Sequence, residues 1–237
     1  SGGCGVQGDW CGVANCHHRL ISFTSRFLAF IFEFQNYSIG FMTTTDVLVA
    51  ETATCEFELL RLVMVDSYTK GKITELPISG GTIITGRNGR GKTSLLQIIL
   101  AFYGERPDRI VVPASNKVSF ARYYLPRMTS YLVYEYRRRD VICCAVLYSD
   151  DTGDALRYRF IRSPYRQEFF VQPDQATIVM SRDLTVHLKQ LGANTSRPMD
   201  LYEYRNIIQG RSGTGRDAHK QRAMVADFSF CPSGRQI

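Results

Sequence analysis

Phe57 to Val65 (FELLRLVMV) is a near-continuous apolar run closed by Asp66-Ser67, the pattern of a short buried strand. Lys70-Gly71-Lys72 supplies a turn, and Ile73 to Pro77 reads as an edge strand. Ser79-Gly80-Gly81 then turns the chain into Thr82-Ile83-Ile84-Thr85, expected to be a second buried strand that runs straight into a glycine-rich segment. From Thr93 onward, Leu95, Leu96, Ile98, Ile99, Leu100 and Phe102 recur as in a helix buried on most sides, stopped by Gly104 with Pro107 soon after.

Beyond this helix the period changes from helical to alternating. Tyr131 to Arg137, Val141 to Tyr148 and Ala155 to Arg162 are strand-length runs joined by Arg138-Arg139-Asp140 and by Ser149-Asp-Asp-Thr-Gly-Asp154, which predicts an antiparallel meander. The middle run is apolar on both faces and is expected at the centre of the sheet. In the third, Leu156, Tyr158 and Phe160 alternate with Arg157 and Arg159, giving one apolar and one basic face. Ser181 to Leu191, with Ser181 as a possible N-cap and Gly192 as the stop, predicts a helix of about three turns. No internal repeat or coiled-coil heptad is present.

The chain has 237 residues, 44% of them apolar, enough to bury a real core in one large or two small domains. Its net charge of +7 fits a polyanionic partner, a nucleotide or a nucleic acid. No stretch approaches the roughly 18 to 20 apolar residues a spanning helix needs; the nearest, Ile21 to Phe34, is interrupted by Arg26 and Glu33. Membrane partners are therefore not expected. The seven cysteines do not form a secreted disulfide framework. Cys143 and Cys144 are neighbours in an apolar strand, expected on opposite faces as small buried hydrophobes, which suits a reducing compartment and places the protein in the cytoplasm.

Residues 1–41 carry none of the basic excess and have neither signal-peptide order nor a strand or helix period, so they read as an extension upstream of an ordinary start at Met42. Cys4, Cys11, Cys16, His17 and His18 lack the close cysteine pairs of a structural zinc site.

Gly86-Arg87-Asn88-Gly89-Arg90-Gly91-Lys92-Thr93 satisfies G-x-x-x-x-G-K-[ST] at every fixed position, between an expected strand and an expected helix. Glycines let the backbone wrap a triphosphate, amides and the helix N-terminus face the anion, Lys92 reaches the β and γ phosphates, and Thr93 can ligate Mg²⁺. Gly86 to Ser94 are the candidate nucleotide-binding residues, and ATP with Mg²⁺ is the expected ligand.

The fuller pattern, Asn88 and Gly89 within the loop and Ser94-Leu95-Leu96 after it, resembles the loop of SMC, RecF and related ABC-type ATPase heads. Leu59 to Tyr68 is similar to that family's first strand, and Ile207-Ile208-Gln209-Gly210 resembles its Q-loop. Gly104-Glu105-Arg106-Pro107 and Tyr123-Tyr124-Leu125-Pro126 look most like prokaryotic SMC-type proteins, such as the JetC-like components of Wadjet defence systems. The resemblance implies an α/β fold, a P-loop NTPase core with an antiparallel β meander lobe. Lys92 and Gln209 would act in catalysis, and Thr93 and Gln209 at the metal. The Walker B strand and signature that complete such heads are not found after Gln209, so residues 42–237 are expected to be the N-terminal half of a head. The implied partners are a C-terminal head half, a second head with which it dimerises, and DNA bound without sequence preference.

Two other readings stay open. Cys143 to Tyr148 leads to Asp150-Asp151, which would make a self-contained NTPase or kinase-like switch if Asp150 approached Mg²⁺, although Ser-Asp-Asp-Thr-Gly-Asp is also turn chemistry. A basic nucleic-acid module with a vestigial nucleotide site is the other. Arg137-Arg138-Arg139 with Arg157, Arg159, Arg162 and Arg166 could form a DNA-facing patch or an ordinary solvated face; Arg205, Arg211, Arg216, Lys220, Arg222 and Arg235, facing only Asp217 and Asp227, are the better electrostatic candidate. His187 has no Ser or Asp pairing that would suggest a triad.

Overall fold

The computed structural model describes residues 57–85, 87, 91–111, 118–150, 155–174, 176–211 and 218–230. The expectations for residues 1–41, and those placed on Gly86, Asn88, Gly89, Arg90, Asp151, Arg216 and Arg235, lie outside these described residues.

The apolar runs pair into one antiparallel sheet. Its strands are β1 (Phe57–Val65), β2 (Ile73–Pro77), β3 (Tyr131–Arg138), β4 (Val141–Ser149) and β5 (Leu156–Ile161), in the order β2-β1-β3-β4-β5. The meander is present in the expected order, and β4, apolar on both faces, lies between β3 and β5. Cys143 and Cys144 are both fully buried free thiols, one in each of the two core clusters on either side of the sheet.

The helices are α1 (Lys92–Phe102), α2 (Pro107–Ile110), α3 (Phe120–Tyr124), α4 (Leu184–Gln190), α5 (Leu201–Ile208) and α6 (Ala218–Phe228), with a short 3₁₀ turn at Gln167–Phe169. On one face of the sheet, Leu62, Leu132, Tyr134, Tyr136, Leu147 and Phe160 share a core with Ile98 and Phe102 of α1, Tyr204 and Ile207 of α5, and Phe228 of α6. On the other, Val63, Tyr131, Val133 and Val146 pack with Phe169, Phe170, Leu184 and Leu188. Three buried tyrosines fix the helices of the first layer, because a buried phenol needs a hydrogen-bond partner and helix carbonyls supply it. Tyr134 donates to Ile98 O (2.8 Å), Tyr204 to Phe102 O (2.6 Å) and Tyr136 to Phe228 O (2.7 Å).

An irregularity in β1 steers the chain toward the glycine-rich loop. Leu59 pairs with Tyr136 and Arg61 with Glu135, so Leu60 is an extra residue in the ladder. Its carbonyl accepts from both Ile78 N (2.8 Å) and Ser79 N (3.0 Å), just after β2. Residues 82–85 depart from expectation: they enter no ladder, and Ile83 is 86% exposed. A strand is defined by its partner, and residues 82–85 pair with none of the five strands of the described sheet.

The basic face of β5 also differs from a solvated surface. Arg159 is completely buried under the layer formed by Phe169, Phe170, Leu184 and Leu188. Its Nη2 donates to Thr185 Oγ1 (2.6 Å), while Nε and Nη1 have no partner among the described residues. Arg159 is thereby removed from any DNA-facing patch. A buried cation without a carboxylate gains little for the desolvation it suffers. Arg159→Met, of similar length and apolar, is expected to leave stability unchanged or raise it by about 1–3 kcal/mol, and urea denaturation that showed a loss above 1 kcal/mol would contradict this account.

The helix expected from Ser181 begins later, at Leu184. Ser181 N donates to Met128 O (2.7 Å), and residues 181–183 form turns closed by Asp183 N to Met180 O (2.9 Å) and Leu184 N to Ser181 O (3.4 Å). Ser181 is thus held by the loop before β3 instead of capping the helix.

Candidate functional site

The phosphate-loop motif ends on the N-terminus of α1. Gly91 caps that helix with φ 81° and ψ 12°, a left-handed conformation that favours glycine, so the glycine before Lys92 is required by the backbone. Leu95 N to Gly91 O (2.9 Å) is the first helical bond, and the amides that precede it have no intrahelical acceptor. No acidic side chain occupies the first turn, so nothing there repels an anion drawn by the helix dipole.

Lys92 turns back across the loop, its Nζ donating to Arg87 O (3.0 Å). Its ammonium is thereby held at the Arg87 carbonyl. Thr93 is exposed, and Ser94 is half-buried with its Oγ 3.3 Å from the Tyr123 hydroxyl. Lys92, Thr93 and Ser94 are thus grouped with Arg87 and Gly91 at one end of α1.

Gln209, of which catalytic and metal roles are expected, lies at the other end of α1. It follows α5 as its C-terminal cap, and its Nε2 donates to the carbonyl of Tyr103 (3.0 Å), at the far end of α1. At about 1.5 Å rise per residue, the helix separates Tyr103 from Lys92 by roughly 16 Å. The bond satisfies a helix-terminal carbonyl, as does Arg205 Nε, which donates to Gly104 O (2.6 Å).

Asp150 likewise closes a turn. Its amide donates to Ala155 O (2.8 Å) and its carboxylate lies 3.7 Å from Arg157. The strand it ends is antiparallel to both neighbours, unlike a Walker B strand beside a phosphate loop. Of the basic candidates from Arg205 onward, Arg205 bonds backbone as above, and Arg211, Lys220 and Arg222 are exposed.

The structure adds residues to the site that the motif does not contain. Tyr124 donates its hydroxyl to Ser94 O (2.9 Å), and Ser67 Oγ donates to Tyr124 O (2.5 Å), so the turn after β1, helix α3 and the first turn of α1 are tied in series. Burial pushes the Tyr124 phenol up to about 12, against the opposing effect of its bond to Ser94, so it remains a neutral donor at physiological pH. Tyr68, in the same turn, approaches Gly91: a Cβ there would lie 4.0 Å from its ring. In sequence, Tyr123 and Tyr124 appear only within a family-like tetrapeptide, and no spacing rule links them to a loop three dozen residues upstream.

Residues 63–237 match the family described as Protein of unknown function (DUF3584). The chain belongs to this family. The DUF3584 match begins within β1 and runs through the glycine-rich motif, Tyr123 and Gln209. No curated protein and no solved structure matches the chain. Among the described residues, no helix is long and apolar enough to cross a membrane, and no group of three or more His, Cys, Asp or Glu could hold a metal ion.

Proposed function

We propose that the chain binds ATP with Mg²⁺ at Gly86 to Ser94, as the N-terminal part of an SMC-like ATPase head that acts on DNA. The observation that carries this reading is the complete G-x-x-x-x-G-K-[ST] motif ending on a helix whose Lys92 Nζ reaches back to Arg87 O. The residues present suit the ligand: a glycine cap in the left-handed region, a first turn without carboxylates, and Thr93 exposed where a phosphate-bound Mg²⁺ needs a hydroxyl. Thr93 would hold the Mg²⁺, which would supply charge neutralisation to the phosphates, and the chain's own part is to hold the anion through amides and Lys92.

Residues 82–85, which enter no ladder among the described residues and leave Ile83 exposed, fit a strand completed by polypeptide from a C-terminal head half. A partner head would then supply groups around the γ phosphate, and Arg211, Lys220 and Arg222 would contribute to a sequence-independent DNA surface. The self-contained switch using Asp150 gains no support, since its carboxylate faces Arg157 on a strand antiparallel to both neighbours.

The test is titration of the chain with ATP and Mg²⁺. Lys92→Ala removes a charged donor to phosphate and is expected to weaken binding by roughly tenfold to a hundredfold, the range of a charge-assisted hydrogen bond, with circular dichroism unchanged. Equal affinity in the two proteins would refute the nucleotide site.

A further inference from the structure

Tyr123 is an exposed aromatic held in a fixed place. Half its surface is open, yet its hydroxyl lies 3.3 Å from Ser94 Oγ and its ring meets Tyr124 edge-on at 4.7 Å. Its helix, α3, is anchored on both sides of it: Phe120 and Tyr124 are buried, and Ser119 caps the first turn by accepting from Arg122 N (3.3 Å). Tyr124 in turn is pinned to Ser94 O and to Ser67. A large ring left half in water is ordinarily free to choose rotamers, and here its hydroxyl partner belongs to the first turn of α1 and its supporting ring, Tyr124, is bonded to that same turn.

The chemistry of that position follows from the order of groups along the loop. Lys92 and Thr93 serve the β and γ phosphates and their metal. Ser94 is the next hydroxyl, and the loop and helix amides that cradle a nucleotide extend to its α-phosphate. A tyrosine hydroxyl beside Ser94 therefore stands at the junction of α-phosphate and ribose, where it can donate to a phosphate oxygen or accept from a sugar hydroxyl. Its open ring offers an apolar face to the nucleoside.

Resting on the nucleotide reading above, we infer that Tyr123 is a nucleotide-contacting residue that recognises the α-phosphate and ribose end of the ligand, so that the site prefers a nucleoside triphosphate to the bare triphosphate chain. Its contribution is confined to that end and adds to what Lys92 provides.

Calorimetric titration of the full chain with Mg²⁺-ATP and with Mg²⁺-tripolyphosphate separates the two contributions. Tyr123→Ala is expected to weaken ATP binding about tenfold or more and to leave tripolyphosphate binding unchanged. Tyr123→Phe, which keeps the ring and preserves the fold, is expected to lose roughly threefold to tenfold for ATP alone, the worth of one hydrogen bond. Lys92→Ala should weaken both ligands. Unchanged ATP affinity in both Tyr123 variants, or an equal loss for ATP and tripolyphosphate, would overturn the inference while a Lys92 effect left the nucleotide site standing. A wild-type chain that bound neither ligand would overturn the nucleotide site and the role of Tyr123 together.

Discussion

Phe102→Ala is expected to cost about 3–5 kcal/mol, the range for removing a fully buried phenylalanine from a core that cannot collapse around the gap. Phe102 is completely buried at the end of α1, with its ring centroid 4.9 Å from Phe230, 5.3 Å from Tyr136 and 5.6 Å from Tyr134. These neighbours come from β3 and a separate C-terminal segment, so no single shift can refill the space. The carbonyl of the same residue receives the Tyr204 hydroxyl, and truncation would loosen the seat of that bond as well. Set against a total stability of about 5–15 kcal/mol for a domain, the loss is a large fraction. In urea the unfolding midpoint should fall sharply at an unchanged m-value, since the surface exposed on unfolding is nearly the same. A loss below 1 kcal/mol would mean that α1 is not packed on β3 as described. Because α1 carries Lys92 at its other end, nucleotide binding by Phe102→Ala should weaken in step with the folded fraction and not beyond it.

The parts of this fold that could be read from sequence are those decided locally. Alternation and turn residues between Tyr131 and Arg162 define three strands and their order, because a hairpin pairs neighbours in the chain. The opposite fates of Cys143 and Cys144 follow from a period of two. What could not be read is decided by elements far apart in sequence. Alternation places Arg157 and Arg159 on one face but does not say what lies over it; Phe169, Phe170, Leu184 and Leu188, which bury Arg159, belong to irregular chain and a short helix. Thr82 to Thr85 has strand composition, yet a ladder needs a neighbour that composition does not provide. At the candidate site, the fixed spacing of the motif singles out Lys92 and Thr93, the two side chains on which the proposed nucleotide contact rests. Gln209 and Tyr123 illustrate the limit: a Gln-Gly pair ends a helix as readily as it contacts a metal, and Tyr123 reaches Ser94 only through the placement of α3.

Arg127→Met is expected to destabilise the protein by about 2–3 kcal/mol at neutral pH, less than the 3–5 kcal/mol typical of a wholly buried pair because the Arg127 side chain keeps 31% of its surface in solvent. Its partner, Asp66, is only 5% exposed, follows directly after β1 and has a left-handed backbone (φ 46°). Burial acts to raise the Asp66 carboxyl, but Arg127 Nε (2.7 Å), the Gly71 amide and the Thr129 hydroxyl outweigh it and hold the group below its ordinary value. A carboxylate depressed in the folded state contributes stability above its unfolded pKa, and that contribution is lost as pH falls through the folded value. Without Arg127, burial is opposed only by two neutral donors, and the carboxyl should rise. The penalty in the variant is then complete above the raised value and is relieved on acidification, when protonation removes the buried charge. The stability difference between wild type and Arg127→Met should therefore be largest near pH 7 and narrow below about pH 4. A difference that stayed constant from pH 7 to pH 3 would assign the role of Arg127 to packing of its stem instead. The variant also tests how firmly the site is held: Ser67 adjoins Asp66 and leads through Tyr124 to Ser94, so loosening this turn should weaken ATP binding more than tripolyphosphate binding, through Tyr123, at temperatures where the variant remains folded.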